Sequence, residues 1–437
     1  MSQASDLPSQ GLTGWLRADR EITRTDLRNG LTWLFVVIGL LLRILEFADN
    51  RATYLDERLL LENLTDLPVW DLHTVLSHDQ LAPPGFLILE RLMVRLPLPV
   101  VPTARVIPFL AAIATMWFFP KVARKYLDPR AVPLATAFFA FGDYSIYYAS
   151  EIKQYSLEVA LTLMALGLAA RVEDQESERP KKVFLKLALF GAVGVWFSLP
   201  LIFSLAAVGL VGWISRLGRK DWKQLGLWTA MGLAWLLSFG GCFLICDRIV
   251  SKAPFLRTWW DFAFLRIPPN SMDEATGVFW QFVNVVIDPT GVISPVSHVW
   301  TALLCNLLML IGLAALLRRS PAKTALVVLP FLFAVASAAL KAYPFHGRLI
   351  QFLIPAVVFL LAEGIAVISR GGGFGLAVGL LLSGFLLIQP AYDSLYYRFM
   401  QARSRPFDSH GDLHNDLLDE LEARSRPPLP IRSLPRQ

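Results

Sequence analysis

The sequence predicts an all-α, polytopic transmembrane bundle, and three observations carry that prediction. Of its 437 residues, 55% are hydrophobic and only 17% charged, with a mean hydropathy of +0.49. Apolar runs recur from Leu31 to Pro390 at the length of about 20 residues that an α-helix needs to cross a bilayer. Gly, Pro and other small residues sit inside those runs, as membrane helices tolerate. A soluble chain could not bury that much apolar surface.

The first span is Leu31 to Ala48. It follows a polar stretch with Arg17, Arg20, Arg24 and Arg28 and lacks a small-residue cleavage site, so it reads as a retained span after a cytoplasmic segment, residues 1–30. Further spans run from Thr103 to Pro120, Arg130 to Ala149, Gln154 to Arg171, Val183 to Phe197, Leu199 to Ser215, Gln224 to Cys246, Val299 to Leu317, Thr324 to Leu340, Leu349 to Ile368 and Phe374 to Pro390. That makes about eleven within a membrane domain of residues 31–400. The tail, residues 401–437, is rich in Arg, Pro, Asp and Glu and reads as polar and disordered.

The basic tracts KVARKY, RPKK, RLGRKDWK and RRSPAK alternate with less basic loops, which places them all in the cytoplasm by the positive-inside rule. The formal net charge of +6 is therefore loop bias, with no pattern that suits nucleic acid. Pro83 to Pro97, PPGFLILERLMVRLP, is apolar but short and carries Glu90, Arg91 and Arg95. It reads as an interfacial or re-entrant helix, which keeps the later loops on consistent sides. Cys242, Cys246 and Cys305 fall in or beside apolar runs without metal-site spacing and read as packing residues.

Two long loops then fall on the outer face. Residues 49–82 are acidic, with Asp56, Glu57, Glu62, Asp66, Asp71 and Asp79, while residues 247–298 interleave aromatic residues with charge in the manner of interfacial helices. The stretches GDYSIYYASEIKQYS (Gly142 to Ser156) and KAYPFHGRL (Lys341 to Leu349) land on the same face. Together they offer the carboxylates Asp56, Glu57, Glu151 and Asp143, the cations Lys153, Lys341 and Arg348, the phenols Tyr147, Tyr148, Tyr155 and Tyr343, and His346.

That inventory suits a substrate joining a sugar to a phosphate. Lys and Arg can stabilise a departing phosphate, and a carboxylate can accept the proton of an attacking hydroxyl. Plainer readings stand beside it: adjacent outer acids are ordinarily solvated, Arg348 could snorkel at a helix end, and Glu151 and Lys153 would point apart on a helix. His73, His78 and His298 give no defensible metal spacing. One acidic pair is too small a ligand set to require a divalent cation, so metal dependence stays open.

The order of these features resembles the membrane glycosyltransferases of the GT-C fold, in particular the family 39-like group of protein O-mannosyltransferases and the lipid A aminoarabinose transferase. The resemblance rests on YLDE after the first span, LAPPGFLILERL, ARVIPFL, IYYASEIKQYSLEVAL and the late YPFHGRLIQFLIPAVVFLLAEG, and covers about Asp49 to Gly364. It implies an integral inner-membrane transferase that takes a sugar from a polyprenyl-phosphate donor on the extracytoplasmic face and passes it to a glycan, lipid or protein acceptor. Asp56 takes the place of the catalytic acid or base, Glu57 that of the second acid, and Arg348 that of the Arg on the donor phosphate. Glu151, Lys153, Tyr155 and His346 fall near the substrate cavity on the same reading.

Two departures qualify it. Relatives commonly have Pro where this chain has Gly142, Asp143 and Tyr144, and they continue into further spans or a soluble outer domain where this chain carries its polar tail. Acceptor recognition is then reduced, supplied by another protein or lost through truncation. Competing readings are a transporter or flippase of a lipid-linked glycan, in which Arg348 and the outer acids form a gate, and an inactive partner subunit.

Overall fold

A computed structural model of the chain describes residues 12–53, 55–74, 76–173, 180–292 and 296–399. Tyr54 and the tail from residue 401, for which the sequence suggests disorder, lie outside the described residues. No strand occurs among the described residues.

The chain opens with α1 (Leu12–Asp49), α2 (Leu55–Asp66), α3 (Pro84–Met93), α4 (Val100–Ala104) and α5 (Val106–Tyr126). Then come α6 (Ala131–Phe141), α7 (Asp143–Tyr147), α8 (Tyr155–Glu173), α9 (Pro180–Gly194), α10 (Leu201–Gly218) and α11 (Trp222–Lys252). The short helices α12 (Pro254–Trp259), α13 (Met272–Asn284) and α14 (Ile287–Thr290) occupy the second long loop. The bundle closes with α15 (His298–Arg319), α16 (Pro321–Ala339), α17 (Ile354–Ile368) and α18 (Gly372–Phe399).

Nine helices among the described residues are long and apolar enough to cross a bilayer. The other two expected spans coincide with α6, of 11 residues, and α9, of 15. The helix at α6 stops at Gly142, whose backbone turns extended (φ −60°, ψ 105°), and α7 begins at once in a new direction. Pro120 and Pro390, taken as span ends from the sequence, lie inside α5 and α18. A membrane helix absorbs a proline because neighbouring helices satisfy the freed backbone groups.

The bundle is a multi-pass membrane protein, and its surface shows why. Leu237, Leu380 and Leu381 are 78, 65 and 73% exposed on long helices, a distribution that water would penalise and lipid favours. The core is centred on α17, which packs on α15, α6 and α18 and is apolar except for Glu363. A side chain at Gly312 or Gly364 would collide with the backbone of the facing helix at Leu360 or Leu308, so glycine is what permits the close α15–α17 crossing. Cys242, Cys246 and Cys305 are buried thiols, as their apolar setting suggested.

At ten residues, or about 15 Å, α3 is too short to cross the hydrocarbon. Its Glu90 and Arg91 are buried, and Arg91 donates to the backbone carbonyls of Leu64 and Thr65. Burial pushes the Glu90 carboxyl well above its ordinary value, which favours its neutral form there.

Candidate functional site

The site is assembled where α1 ends, α2 begins, α5 begins and the chain between α7 and α8 turns. Adjacent residues on a helix diverge by about 100°, so in the first turn of α2 Asp56 and Glu57 look in different directions. Glu57 is fully buried, whereas the Asp56 side chain keeps 23% of its surface.

Glu57 is held from several sides. Arg105, itself fully buried, donates to both carboxylate oxygens at 3.2 Å, and Arg51 donates to Oε2 at 3.0 Å. The backbone N–H of Ile152 adds a bond to Oε1 at 2.9 Å. Arg105 also donates to the Arg51 carbonyl at 2.7 Å, while Arg51 reaches Glu46 at 3.3 Å and lies 3.9 Å from the centre of the Tyr147 ring. Ser150 closes the ring of contacts by donating to Glu46 at 3.1 Å. Removing one member of such a buried ionic cluster leaves an uncompensated buried charge, which is strongly destabilising.

In front of this clasp stands Asp56, ion-paired with Arg348. Arg348 comes from the other end of the sequence, in the turn before α17. Gly347 makes that turn with φ +50°, a conformation that costs glycine little and other residues more. Tyr343 pins the same turn by donating to the Leu349 carbonyl at 2.8 Å. The guanidinium sits 5.9 Å from the ring centre of Tyr155 and 5.7 Å from that of Trp260, so an aromatic wall brackets it.

Glu151 and Lys153 complete the cluster. The chain from residue 151 to 154 is a turn and not a helix, with the Lys153 N–H donating to the Glu151 carbonyl at 2.7 Å. Both side chains are therefore buried in one charged neighbourhood instead of pointing apart. Lys153 Nζ donates to Gln80 Oε1 at 2.8 Å. Both carboxylate oxygens of Glu151 are buried without a hydrogen-bond partner. Burial, reinforced by the charge of Glu57 and opposed by Arg51, Arg348 and Lys153, raises the Glu151 carboxyl to about 7. Burial lowers the Lys153 ammonium to about 8 against the pull of Asp56.

The structure thus brings together Asp56, Glu57, Glu151, Lys153, Tyr155 and Arg348. It places His346 elsewhere, with Nδ1 3.8 Å from Asp288 and its ring against Phe262. Burial raises the Asp288 carboxyl, and His346 opposes that rise. Lys341 ties the second long loop to the turn before Arg348 through Asp261, at 3.3 Å. Sequence reasoning left Arg51, Glu46, Ser150, Gln80, Asp288 and Trp260 unassigned. Arg105 was visible as the Arg of ARVIPFL, but nothing in sequence ties it to Glu57.

Asp56 and Glu57 do not by themselves form a divalent-cation site. Glu57 is engaged by two guanidinium groups and Asp56 by a third, and no cluster of three His, Cys, Asp or Glu suited to a metal occurs among the described residues. Oxygen-ligated cations ask for several oxygens that are not already claimed by cations.

No protein-family model matches the sequence, and no curated protein matches it. Solved structures do match. The Archaeoglobus fulgidus oligosaccharyltransferase, solved with a tethered acceptor peptide containing the NVT sequon, superposes with a TM-score of 0.51 at 13% identity, over 92% of this chain and 59% of that one. ArnT from Cupriavidus metallidurans, solved with undecaprenyl phosphate, gives 0.50 at 15% identity, over 91% of this chain and 74% of that one. This chain accordingly spans about 59% of the length of the oligosaccharyltransferase it resembles. The likeness shows the fold: the chain has the GT-C architecture.

Proposed function

We propose that the protein is an integral membrane glycosyltransferase that moves a sugar from a polyprenyl-phosphate donor to an extracytoplasmic acceptor. The observation that carries this reading is the direct pairing of Asp56 with Arg348, backed by Lys153 and Glu151, at one end of a membrane bundle. An acid and two cations brought to one point match the two charges the reaction must manage. The matched ArnT structure holds undecaprenyl phosphate, which is consistent with the donor class.

The step is a displacement at the anomeric carbon. The bond from that carbon to the phosphate oxygen breaks, and the phosphate leaves with the electron pair. Arg348 and Lys153 are the groups to receive its charge, since preorganised cations in a partly dry site stabilise a leaving anion. The acceptor hydroxyl forms the new bond and its proton passes to Asp56. Glu57 acts behind them: it fixes the start of α2, and with it Asp56, by holding Arg51, Arg105 and the Ile152 N–H. Tyr155 and Trp260 confine the guanidinium. His346, against Asp288 and Phe262, stands apart from these groups and is assigned no part in the step.

The test is transfer or slow hydrolysis of a panel of sugars on undecaprenyl phosphate by the purified protein, with Asp56→Asn alongside. Sugar release by the wild type alone supports the reading and identifies the donor. Silence across the panel from folded protein, with lipid-linked glycan still moved across vesicles by Asp56→Asn, overturns it in favour of transport.

A further inference from the structure

The first outer loop contains a turn whose strained backbone the transfer chemistry leaves unexplained. His78 and Asp79 both stand in the left-handed region, with φ of +61° and +51°, and neither is glycine. Such residues persist only where their surroundings hold them, and they gather at functional sites. Here the holding is done by α2. Asn63, itself buried, accepts from the Ser77 N–H at 2.7 Å, donates to the Ser77 carbonyl at 3.0 Å and bonds to the Leu59 carbonyl of its own helix at 2.8 Å. Beside it, His78 Nε2 lies 3.0 Å from Glu62.

What the turn delivers is Gln80. Its amide donates to the His78 carbonyl at 3.2 Å, which leaves Oε1 to accept from Lys153 Nζ at 2.8 Å, and both residues are buried. The nature of that acceptor matters. Asp56 and Glu57 from α2, Glu151 from the same turn as Lys153, and Arg348 from the turn before α17 all act on this ammonium through their charge, yet the group bonded to it is a neutral amide. An ammonium carries three donors. A carboxylate in the place of Gln80 would neutralise it in a buried ion pair, whereas an amide takes one N–H and leaves the charge and the other two donors for an arriving anion.

The same helix therefore holds Lys153 at two points. Next to it in sequence, the Ile152 N–H bonds to Glu57 in the first turn of α2. Its tip is held through Gln80 and the turn on Asn63, which lies seven residues beyond Asp56, about 10 Å along the axis. Asp56 and the ammonium are thus both placed from α2. A side chain fixed at both ends loses little freedom when an anion binds, which is the condition for preorganised stabilisation.

Resting on the transferase reading above, we propose that Gln80 is a positioning residue: held by the Asn63 turn, it fixes the Lys153 ammonium for the donor phosphate without neutralising it. The probe is undecaprenyl phosphate, and the readout is its affinity for the purified full chain in detergent between pH 7.5 and 9.5. The phosphate is fully ionised across that range, since its second ionisation lies at about 6. Affinity of the wild type should fall as pH rises through about 8, where Lys153 loses its proton, and should stay level in Lys153→Gln. Gln80→Glu should lower affinity about tenfold at pH 7.5 and move the fall upward by about one pH unit, a shift that loosened packing alone would not produce. A fall left in place by Gln80→Glu, or one that survives in Lys153→Gln, overturns the role of Gln80 while the donor class stands. Absence of binding by the wild type at every pH overturns the donor reading itself, and the role of Gln80 with it. Should Gln80→Glu not fold, Gln80→Leu decides: weaker binding with the fall moved to lower pH supports the role, and a wild-type curve overturns it.

Discussion

Two carboxylates, Glu57 and Glu363, sit at opposite ends of the bundle and do the same thing, yet what they present to their surroundings differs. Each is fully buried, and each holds two guanidinium groups and one backbone N–H. In front of Glu57 stand an acid and cations together, Asp56 with Arg348 and Lys153. Around Glu363, the charged residues that border the cleft between the ends of α5 and α15 are all basic: Arg124, Lys125, Arg319 and Lys323. An acid and cations side by side can move a proton and release an anion, whereas basic side chains alone offer no base. The buried carboxylate is scaffolding in both places, and the side chains ahead of it decide the chemistry.

The sharpest way to break this comparison is to remove the one feature the far end lacks. Asp56→Asn should lower transfer by roughly 10²- to 10⁴-fold, the usual share of a general base, with thermal stability in detergent little changed. Full turnover in that variant would falsify the assignment of Asp56. Next in size, Glu57→Ala should destabilise the protein by roughly 3–5 kcal/mol, because it strands the fully buried Arg105. Denaturation followed by the loss of a Trp fluorescence signal would measure it.

Glu363→Gln should cost less, roughly 1–3 kcal/mol. Its partners Arg319 and Arg370 keep 37 and 39% of their side-chain surface and can turn to water, and Gln retains an acceptor for the Asp128 N–H. Equal losses at the two ends would show that exposure of the partner does not set the difference. The remaining effect concerns pH. The folded state raises the Glu151 carboxyl to about 7 from an ordinary value of 4.5, so it binds more protons than the unfolded chain between those limits. The contribution of Glu151 is present below about pH 4.5 and is lost as pH rises through 7. Melting temperatures taken from pH 5 to 7.5 should fall more steeply for wild type than for Glu151→Gln, and parallel profiles would contradict the assignment.

Much of this was legible in the sequence. Hydrophobic run length located the long helices, because the bilayer sets that length directly. Charge asymmetry of the loops gathered the segments around Asp56, Glu151 and Arg348 on one face, and the structure joins them. What stayed hidden depends on direction and on distant partners. The neighbours Asp56 and Glu57 read as a pair with one role, but the helical turn sends one outward and the other into contact with Arg51 and Arg105. Glu151 and Lys153 looked divergent only because a helix was assumed where the chain turns. His346 meets Asp288 across a fold contact that no local pattern announces.

The members of the clasp around Glu57 are also the first parts of the site to be synthesised. Glu46, Arg51, Arg105, Ser150 and Ile152 all belong to the first part of the chain, whereas Arg348 leaves the ribosome long afterwards. N-terminal segments are synthesised first. The ledge that carries Asp56 can thus set while the rest of the bundle is still being made, and the arrival of Arg348 is the event that finishes the site.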